Sequence, residues 1–590
     1  MKKATKYISL AVILAAAGSL TSCSDFLDKQ PSNELSQEKV LADWNMFEQF
    51  HYDTYNFLRH GANRIGSSWL DAATDLSETS VSNSGARISF NLGNYYANGG
   101  SSEFVDTWES RYRAIRKCNF VIIHANDVPK NPRNSDEEHA TFVRQLTAEA
   151  RFFRAYFYWE MFLRFGPLPI IEEMLDPTED MITPYTQRPT TKEYVVDFIL
   201  NELKECESDL LDHDTAWATT RAGRVSQPAA RALASRIKLY MASPRYASES
   251  GISWQDAADA AKSFIDDYGK YFGLFADANA DGASNYGNAV LMTTYSGNNN
   301  ETIFFRNDGN IGWGGISYDT PVGEGGSGGN CPSQNLVDMY DMADGSSPFA
   351  EYDATGAPVY SGLTPAVNAA SGYSDEKMWE NRDPRLAATV LHQNSTWGYY
   401  KETIDVRPGA ADNPVGNPNA TPTGYYMRKY IPATILSSNH GGTAPRLWTI
   451  IRYAEILMNY AEAMNEVNGP CAEAWNALDQ VRHRAGIKGD MADRYDLLSK
   501  EALRNFIHKE RTVEFAFEEH RSWDVRRWNV AEQALSRPIY GVDIKGADAE
   551  HFTITRKVAQ ERVFDAKMYL YPVPETEMWK VPGFQNNPGW

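Results

Sequence analysis

Five cysteines in 590 residues are too few to build a disulfide scaffold, and they stand scores of residues apart. Cys23, Cys118, Cys206, Cys331 and Cys471 form no CxxC pair and no Cys/His cluster at zinc-finger spacing. One disulfide would suit an exported chain, but buried small hydrophobes are the simpler reading of the last four. Histidine is scarce as well, with eleven scattered copies. HExxH does not occur, so the common zinc-protease signature is missing. Positive charge is outweighed, with 57 Lys and Arg against 77 Asp and Glu, and no basic stripe interrupts the acidic balance. Phosphate binding needs such a stripe, so nucleic acid is not an expected partner. Beyond residue 20 no long apolar run recurs, which leaves no candidate for a membrane-spanning helix.

What is present starts with the leader. Lys2, Lys3 and Lys6 precede a short apolar stretch, Ile8 to Leu20. That stretch is shorter than the ~20 residues a helix needs to cross a bilayer, and it reads as a secretory signal. Leu20-Thr21-Ser22-Cys23 resembles the bacterial lipobox, in which the cysteine becomes the first mature residue and carries acyl groups. An ordinary signal peptide with an incidental cysteine is the alternative. One acyl chain anchors marginally and two or more anchor stably, so the expected mature protein is tethered, not embedded. Removal of residues 1–22 would take three lysines and no acids, shifting the net charge from −20 to −23. An apolar content of 42% supplies a sizeable core.

Helical patterns fall into two blocks. In 142–166, Leu146, Ala150, Phe153, Phe157 and Met161 recur at three- and four-residue steps, and Gly166-Pro167 ends the run. Thr190 and Glu193 are spaced as a capping box for the next helix. Ser226 with Pro228, and then Ser253, announce two more. The second block reads as helix over 447–469, 471–486 and the charged stretch from Lys500 to Trp528. Antiparallel pairs with alanine-rich contact faces, such as Tyr460-Ala461-Glu462-Ala463 before a Gly-Pro turn, read as tetratricopeptide-like units without a strict period. Between the blocks, 277–445 is rich in Gly, Asn, Pro and Ser yet keeps Trp and Tyr, as does 61–104. Those rings either pack a second, irregular core or form a ligand surface.

Several stretches together carry a resemblance. "CSDFLDKQP", "ARFFRAYFYWEMFLRFGPLPII" (150–171), "LVDMYDMADG" (336–345), "NRDPRL" (381–386), "RYAEILMNYAEAMNE", "VRHRAG", "KERTVEFAFEEHRSWDVRRW" and "YLYPVPETEM…QNNPGW" occur in order. The chain resembles the SusD/RagB lipoproteins of Bacteroidetes over essentially its whole mature length. The resemblance implies a mainly α fold, with tetratricopeptide-like helical repeats supporting an irregular, loop-rich ligand-binding face. It divides the chain into a signal peptide (1–22), an N-terminal helical region (23–276), a loop-rich region contributing to the ligand face (277–445) and a C-terminal helical region (446–590).

The resemblance also implies a surface-exposed outer-membrane lipoprotein, anchored through Cys23. Its implied partners are an oligosaccharide or polysaccharide and a SusC-like TonB-dependent transporter. Some relatives capture oligopeptides, which is the alternative ligand. Neither catalysis nor a cofactor is implied. Ser24, Asp25 and Asp28 are similar to the polar-acidic stretch that routes such lipoproteins to the cell surface, although a solvated linker has the same composition. Tethering would keep the protein beside its transporter by raising effective concentration. Arg151, Arg154, Arg382, Asp383 and Arg385, within the shared motifs, read as capping and ion-pair residues.

Sugar capture asks for flat rings that pack on pyranose C–H faces, with amides or charged groups for the hydroxyls. Tyr95 and Tyr96 with Asn94, Tyr295 with Asn298, and Trp313 with Arg306 and Tyr318 meet that description. Trp69 and the Trp397/Tyr399 pair are further candidates. Each ring could equally belong to a core. Asp277, Asn279, Asp281 and Gly282 occupy the first, third, fifth and sixth positions of an EF-hand-like loop, but Asn288 stands where a bidentate Glu is needed, so a plain Asx-rich turn is the simpler reading. Gly323, Gly325 and Gly328 spell GxGxxG with no strand or helix signal around them, which reads as a loop. His508 and His520, on a charged stretch, read as solvated. A glycosidase carboxylate pair is defined by spatial separation, which 77 scattered acids do not reveal.

Overall fold

The computed structural model describes residues 37–59, 61, 65, 68–97, 103–176, 178–217, 223–291, 299–398, 400, 402–436 and 441–590. The leader and Cys23 lie outside the described residues, as do Tyr295, Asn298 and Tyr399.

The N-terminal helices form because their ends are capped and their apolar residues share a face. Helix α1 (Trp44–Tyr52) starts where the Asp43 carboxylate accepts from the Met46 amide at 3.0 Å. Helix α2 (Val105–His124) lies along α3 (Asp136–Phe165), the long central helix. The reciprocal Ser135–Glu138 box opens α3, and Gly166 ends it. All five residues of its expected apolar stripe are buried. From Phe152 to Phe165 only Glu160 escapes full burial, so the C-terminal half of α3 is enclosed on every side. Thr190 and Glu193 form their reciprocal box, and the chain winds as a π-helix over Lys192–Leu200 into α4 (Asn201–Glu207). Helices α5 (Gln227–Ala242) and α6 (Trp254–Tyr268) follow, the latter opened by a Ser253–Asp256 box.

The two helical blocks are continuous in space. Helix α6 packs on α5 and on α7 (Tyr453–Asn468), and α7 packs on α8 (Ala472–Arg484). Ala242, Ala257, Ala258, Ala463 and Ala474 meet in one cluster, so small side chains let these four helices approach closely. The fold is mainly α, with two-stranded sheets as accessories.

One helical expectation is corrected. Residues 447–452 belong to strand β2 (Ala444–Arg452), which pairs antiparallel with β1 (Thr302–Ile311). Leu447, Trp448, Thr449, Ile450 and Ile451 are aromatic or largely β-branched and fit a pleated, half-buried ribbon. Helix α7 begins only at Tyr453.

The loop-rich middle has a core of its own. Trp69, Tyr340, Trp397, Tyr425, Tyr426, Tyr430 and Trp448 pack there with Leu336, Met339 and Phe517. Most aromatic rings of the polar segments are therefore interior. Cys118, Cys206 and Cys331 are buried free thiols and Cys471 is half-buried.

The helical stack meets this second core across a buried ionic junction. In α9 (Lys500–Glu514), Glu514 receives Arg385 at 2.9 Å, Arg452 at 2.7 Å and Arg484. Arg452 also reaches Glu301 at 2.6 Å and Glu518 at 2.8 Å, while Arg482 joins Asp341 to Glu510. Phe517 and Glu519 take left-handed φ angles of 63° and 67°, which separates α9 from α10 (His520–Arg527). The motif arginines take structural places here and nearby. Arg151 and Arg154 bind Glu202, Arg382 donates to four backbone carbonyls, and Asp383 caps a helix while holding Arg385.

The two histidines read as solvated are in fact enclosed. His508 stacks on Trp528 with centroids 3.6 Å apart, and His520 on Phe515 at 4.5 Å. Burial pushes both imidazoles down to about 4, so they are neutral at pH 7. The charges around them are spent on one another, which is why a charge-rich segment can be interior.

Candidate functional site

Strand β1 carries Phe305, Arg306 and Asn307 to the wall of an open cavity of about 660 Å³. Helix α1 and the residues after it supply Trp44, Asn45, Glu48, Tyr52, Tyr55 and Asn56. The turn before α3 adds Asn131 and Asn134, and Gly223-Arg224 closes one side. At Gly223, φ is +93°, and an added Cβ would meet the Phe305 ring at 3.3 Å, so glycine suits both the backbone and the wall.

Local bonds set the orientation of these groups. Glu149, buried in α3, receives Arg224 Nε at 2.8 Å and the Tyr55 hydroxyl at 2.9 Å, and meets His51 at 3.1 Å. The Arg224 guanidinium lies 5.2 Å from the Tyr52 ring centre, and the Tyr52 hydroxyl donates to Glu48 at 2.7 Å. Burial pushes the Glu149 carboxyl up, but the Arg224 charge and the His51 bond outweigh it and hold the group below the usual range. Asn131 donates to Asn45 at 3.0 Å across the mouth. Amides arranged this way offer both donors and acceptors, beside half-buried aromatic faces.

The ribbon continues away from the cavity. Arg306 Nε donates to Asp308 at 2.8 Å, Asp308 pairs with Arg446 at 3.4 Å, and Arg446 donates to the Gly315 carbonyl at 2.9 Å. Gly315 closes the short turn Trp313–Gly315, on which the half-buried Trp313 sits. Trp313 lies two residues beyond the end of β1 and outside the cavity lining. Arg306, Trp313 and Tyr318 therefore lie on connected structure. The Tyr318 hydroxyl is within 3.2 Å of both Ser68 and Thr79.

The other candidates are placed elsewhere. Trp69 is 3% exposed, donates its indole N–H to Asp319 at 2.8 Å and packs on Tyr430 and Trp448 beneath the ribbon. Tyr95, 5% exposed, stacks on Phe90 and packs by Trp590, and Trp397 is 6% exposed. These three offer no open ring face, a correction caused by the second core and by the C-terminal residues packed over Tyr95. Tyr96 is 59% exposed beside exposed Asn94, outside the cavity lining. Asp277 accepts from the Asn279 amide at 2.9 Å and Asp281 from the Ser284 amide at 2.8 Å, so both carboxylates serve turns. Gly323 to Gly328 form tight turns with Gly325 and Gly328 at positive φ.

Sequence reasoning missed Trp44, Tyr52, Asn56, Asn131 and Arg446. Trp44 and Tyr52 sit eight residues apart near the start of the described chain, as any amphipathic helix would place them, and nothing local links them to Arg306.

A helical-repeat scaffold bearing an open cleft of rings, amides and arginines defines a ligand-binding class of protein. Within that class the chain belongs to the SusD family, whose sequence profile matches residues 273–590. A second profile, described as starch-binding associating with outer membrane, matches residues 25–239. SusD-like protein P38 of Formosa agariphila is 23% identical over 570 residues, covering 92% of this chain and 95% of its own. The crystal structure of a SusD-like protein from Bacteroides fragilis superposes with a TM-score of 0.75 at 25% identity, covering 95% of this chain and all of that one. A SusD-like carbohydrate-binding protein from the same organism gives 0.70 at 22% identity over 92% of this chain and all of its own.

Proposed function

We propose that this protein is a surface-facing, lipid-anchored subunit of the outer membrane that captures oligosaccharides in the α1–β1 cavity and passes them to a TonB-dependent transporter. The observation that carries this reading is the cavity lining: asparagine amides and arginines beside Tyr52 and Phe142, in a chain of a family with carbohydrate-binding members. Rings pack on sugar C–H faces, and amides satisfy hydroxyls in either direction. Family membership and the outer-membrane wording of the second matched profile support the location.

A glycan array and a peptide array probed with the mature protein test the ligand class. Signal on glycans alone is expected, with no new reducing ends released from the bound polysaccharide on long incubation. Signal on peptides alone would replace this reading with oligopeptide capture, and reducing ends that vanish on mutating one carboxylate would replace it with hydrolysis.

The anchor and the transporter have a joint test. Wild-type protein from acyl-labelled cells is expected to carry label and to co-elute from detergent extracts with a TonB-dependent barrel, whereas Cys23→Ala loses the label and the membrane fraction. Label persisting in Cys23→Ala would place the lipid elsewhere, and wild-type protein eluting without any barrel would remove the delivery role.

A further inference from the structure

The C-terminal end of α8 carries a ligand set unrelated to the cavity. Asp479 and His483 stand one helical turn apart on α8, so their side chains emerge on one face. Six residues on, Gly489 at φ +83° turns the chain back and brings Asp490 over that face. One ligand atom from each of the three side chains lies within 4.8 Å of the other two. The Nε2 atom of His483 is 3.2 Å from Asp490 Oδ1 and 3.1 Å from the Gly489 carbonyl oxygen. Asp479 Oδ1 accepts from the Met491 amide at 2.8 Å, which fixes that carboxylate facing the turn.

Lysine and arginine side chains do not pair with this set among the described residues. The neighbouring arginines are drawn away, Arg482 to Asp341 and Glu510 and Arg494 to Asp496. Among the described residues Asp490 has His483 as its ion-pair partner, and Asp479 has neither a lysine nor an arginine. Two carboxylates, an imidazole and a backbone carbonyl thus converge with no protein cation between them.

We infer that Asp479, His483 and Asp490 form a binding site for one divalent transition-metal ion of the zinc class. The imidazole decides the class, because calcium and magnesium sites are built from oxygen ligands whereas zinc accepts nitrogen with carboxylates. The site has a structural consequence. The turn that supplies Asp490 also docks on the middle region, with the Lys488 amide 3.3 Å from the Ala343 carbonyl and Arg494 Nη1 2.8 Å from that of Gly345. A bound ion would fasten α8 to this turn and so brace the junction between the helical stack and the second core.

Calorimetric titration of ZnCl2 into the chelator-stripped, tag-free mature protein tests the inference. One equivalent is expected to bind with micromolar affinity and to raise the melting temperature, while CaCl2 gives no saturable heat. His483→Ala and Asp490→Asn should each weaken zinc binding at least tenfold with the metal-free melting temperature unchanged, since both side chains are exposed. His551→Ala, at a second exposed Asp–His pair, should leave binding intact. Absence of saturable zinc uptake, or uptake unaltered in His483→Ala and Asp490→Asn, would overturn the site.

Discussion

Glu514→Ala is expected to destabilise the protein by about 3–5 kcal/mol, the cost typical of removing one partner from a buried ionic group. The alanine would strip the shared acceptor from Arg385, Arg452 and Arg484, each almost wholly buried. Those guanidiniums would keep their desolvation cost while losing their central counter-charge. Because they come from three separate chain segments, the loss should loosen the junction between stack and second core, not α9 alone.

The acid limb of stability follows from the same carboxylate. Burial pushes the Glu514 carboxyl up, but Arg484, Arg452 and Arg385 outweigh burial and hold it far below 4.5. A depressed value means that its contribution is complete above about 4.5 and lost only as pH falls through the native value in strong acid. Denaturant melts at pH 7 and pH 4 should therefore both show the wild type well above Glu514→Ala. Equal midpoints at pH 7 would show that the junction is not a stabilising element.

Tyr52→Ala is expected to raise the glycan dissociation constant roughly thirtyfold, from a hot-spot loss on the order of 2 kcal/mol. The ring lines the cavity on its half-buried face, and its hydroxyl bond to Glu48 is local to α1, so the fold should survive the change. Arg306→Ala removes a cavity wall as well, but that guanidinium also ties Asp308 to the Asn56 and Leu58 carbonyls. Its effect would mix binding with local order, which makes Tyr52 the cleaner probe. Trp313, beyond the end of β1 and outside the cavity lining, should matter only for glycans long enough to reach it. Trp313→Ala would then weaken long oligosaccharides and leave short ones unchanged.

Most helices were legible because each is written within a few residues: Thr190 with Glu193, Ser253 before Trp254, and the stripe from Leu146 to Met161, although the Ser135–Glu138 box that starts α3 was not read. The strand from Ala444 to Arg452 was not, since its apolar residues run without a break into those of α7. Only the β-branched cluster Thr449, Ile450 and Ile451 hinted at it. The interior position of His508 and His520 was hidden for another reason. Their segment is rich in Lys, Arg and Glu, and the partners that neutralise it, such as Asp341, Arg385 and Arg452, come from far along the chain.

Of the site, Arg306 was legible as a polar residue near rings. Trp69 and Trp397 looked equally exposed because a polar, loop-rich segment does not announce a core of its own. The cavity joins α1, the turn before α3, Gly223 and β1, and no local pattern records such a meeting.

The most direct test titrates the array-selected oligosaccharide into wild-type protein and Tyr52→Ala by calorimetry, with thermal melts on the same samples. The account predicts saturable binding to the wild type, a dissociation constant about thirty times higher for Tyr52→Ala, and matching melting temperatures. Unchanged affinity in Tyr52→Ala, with the wild type binding normally, would contradict capture in the α1–β1 cavity.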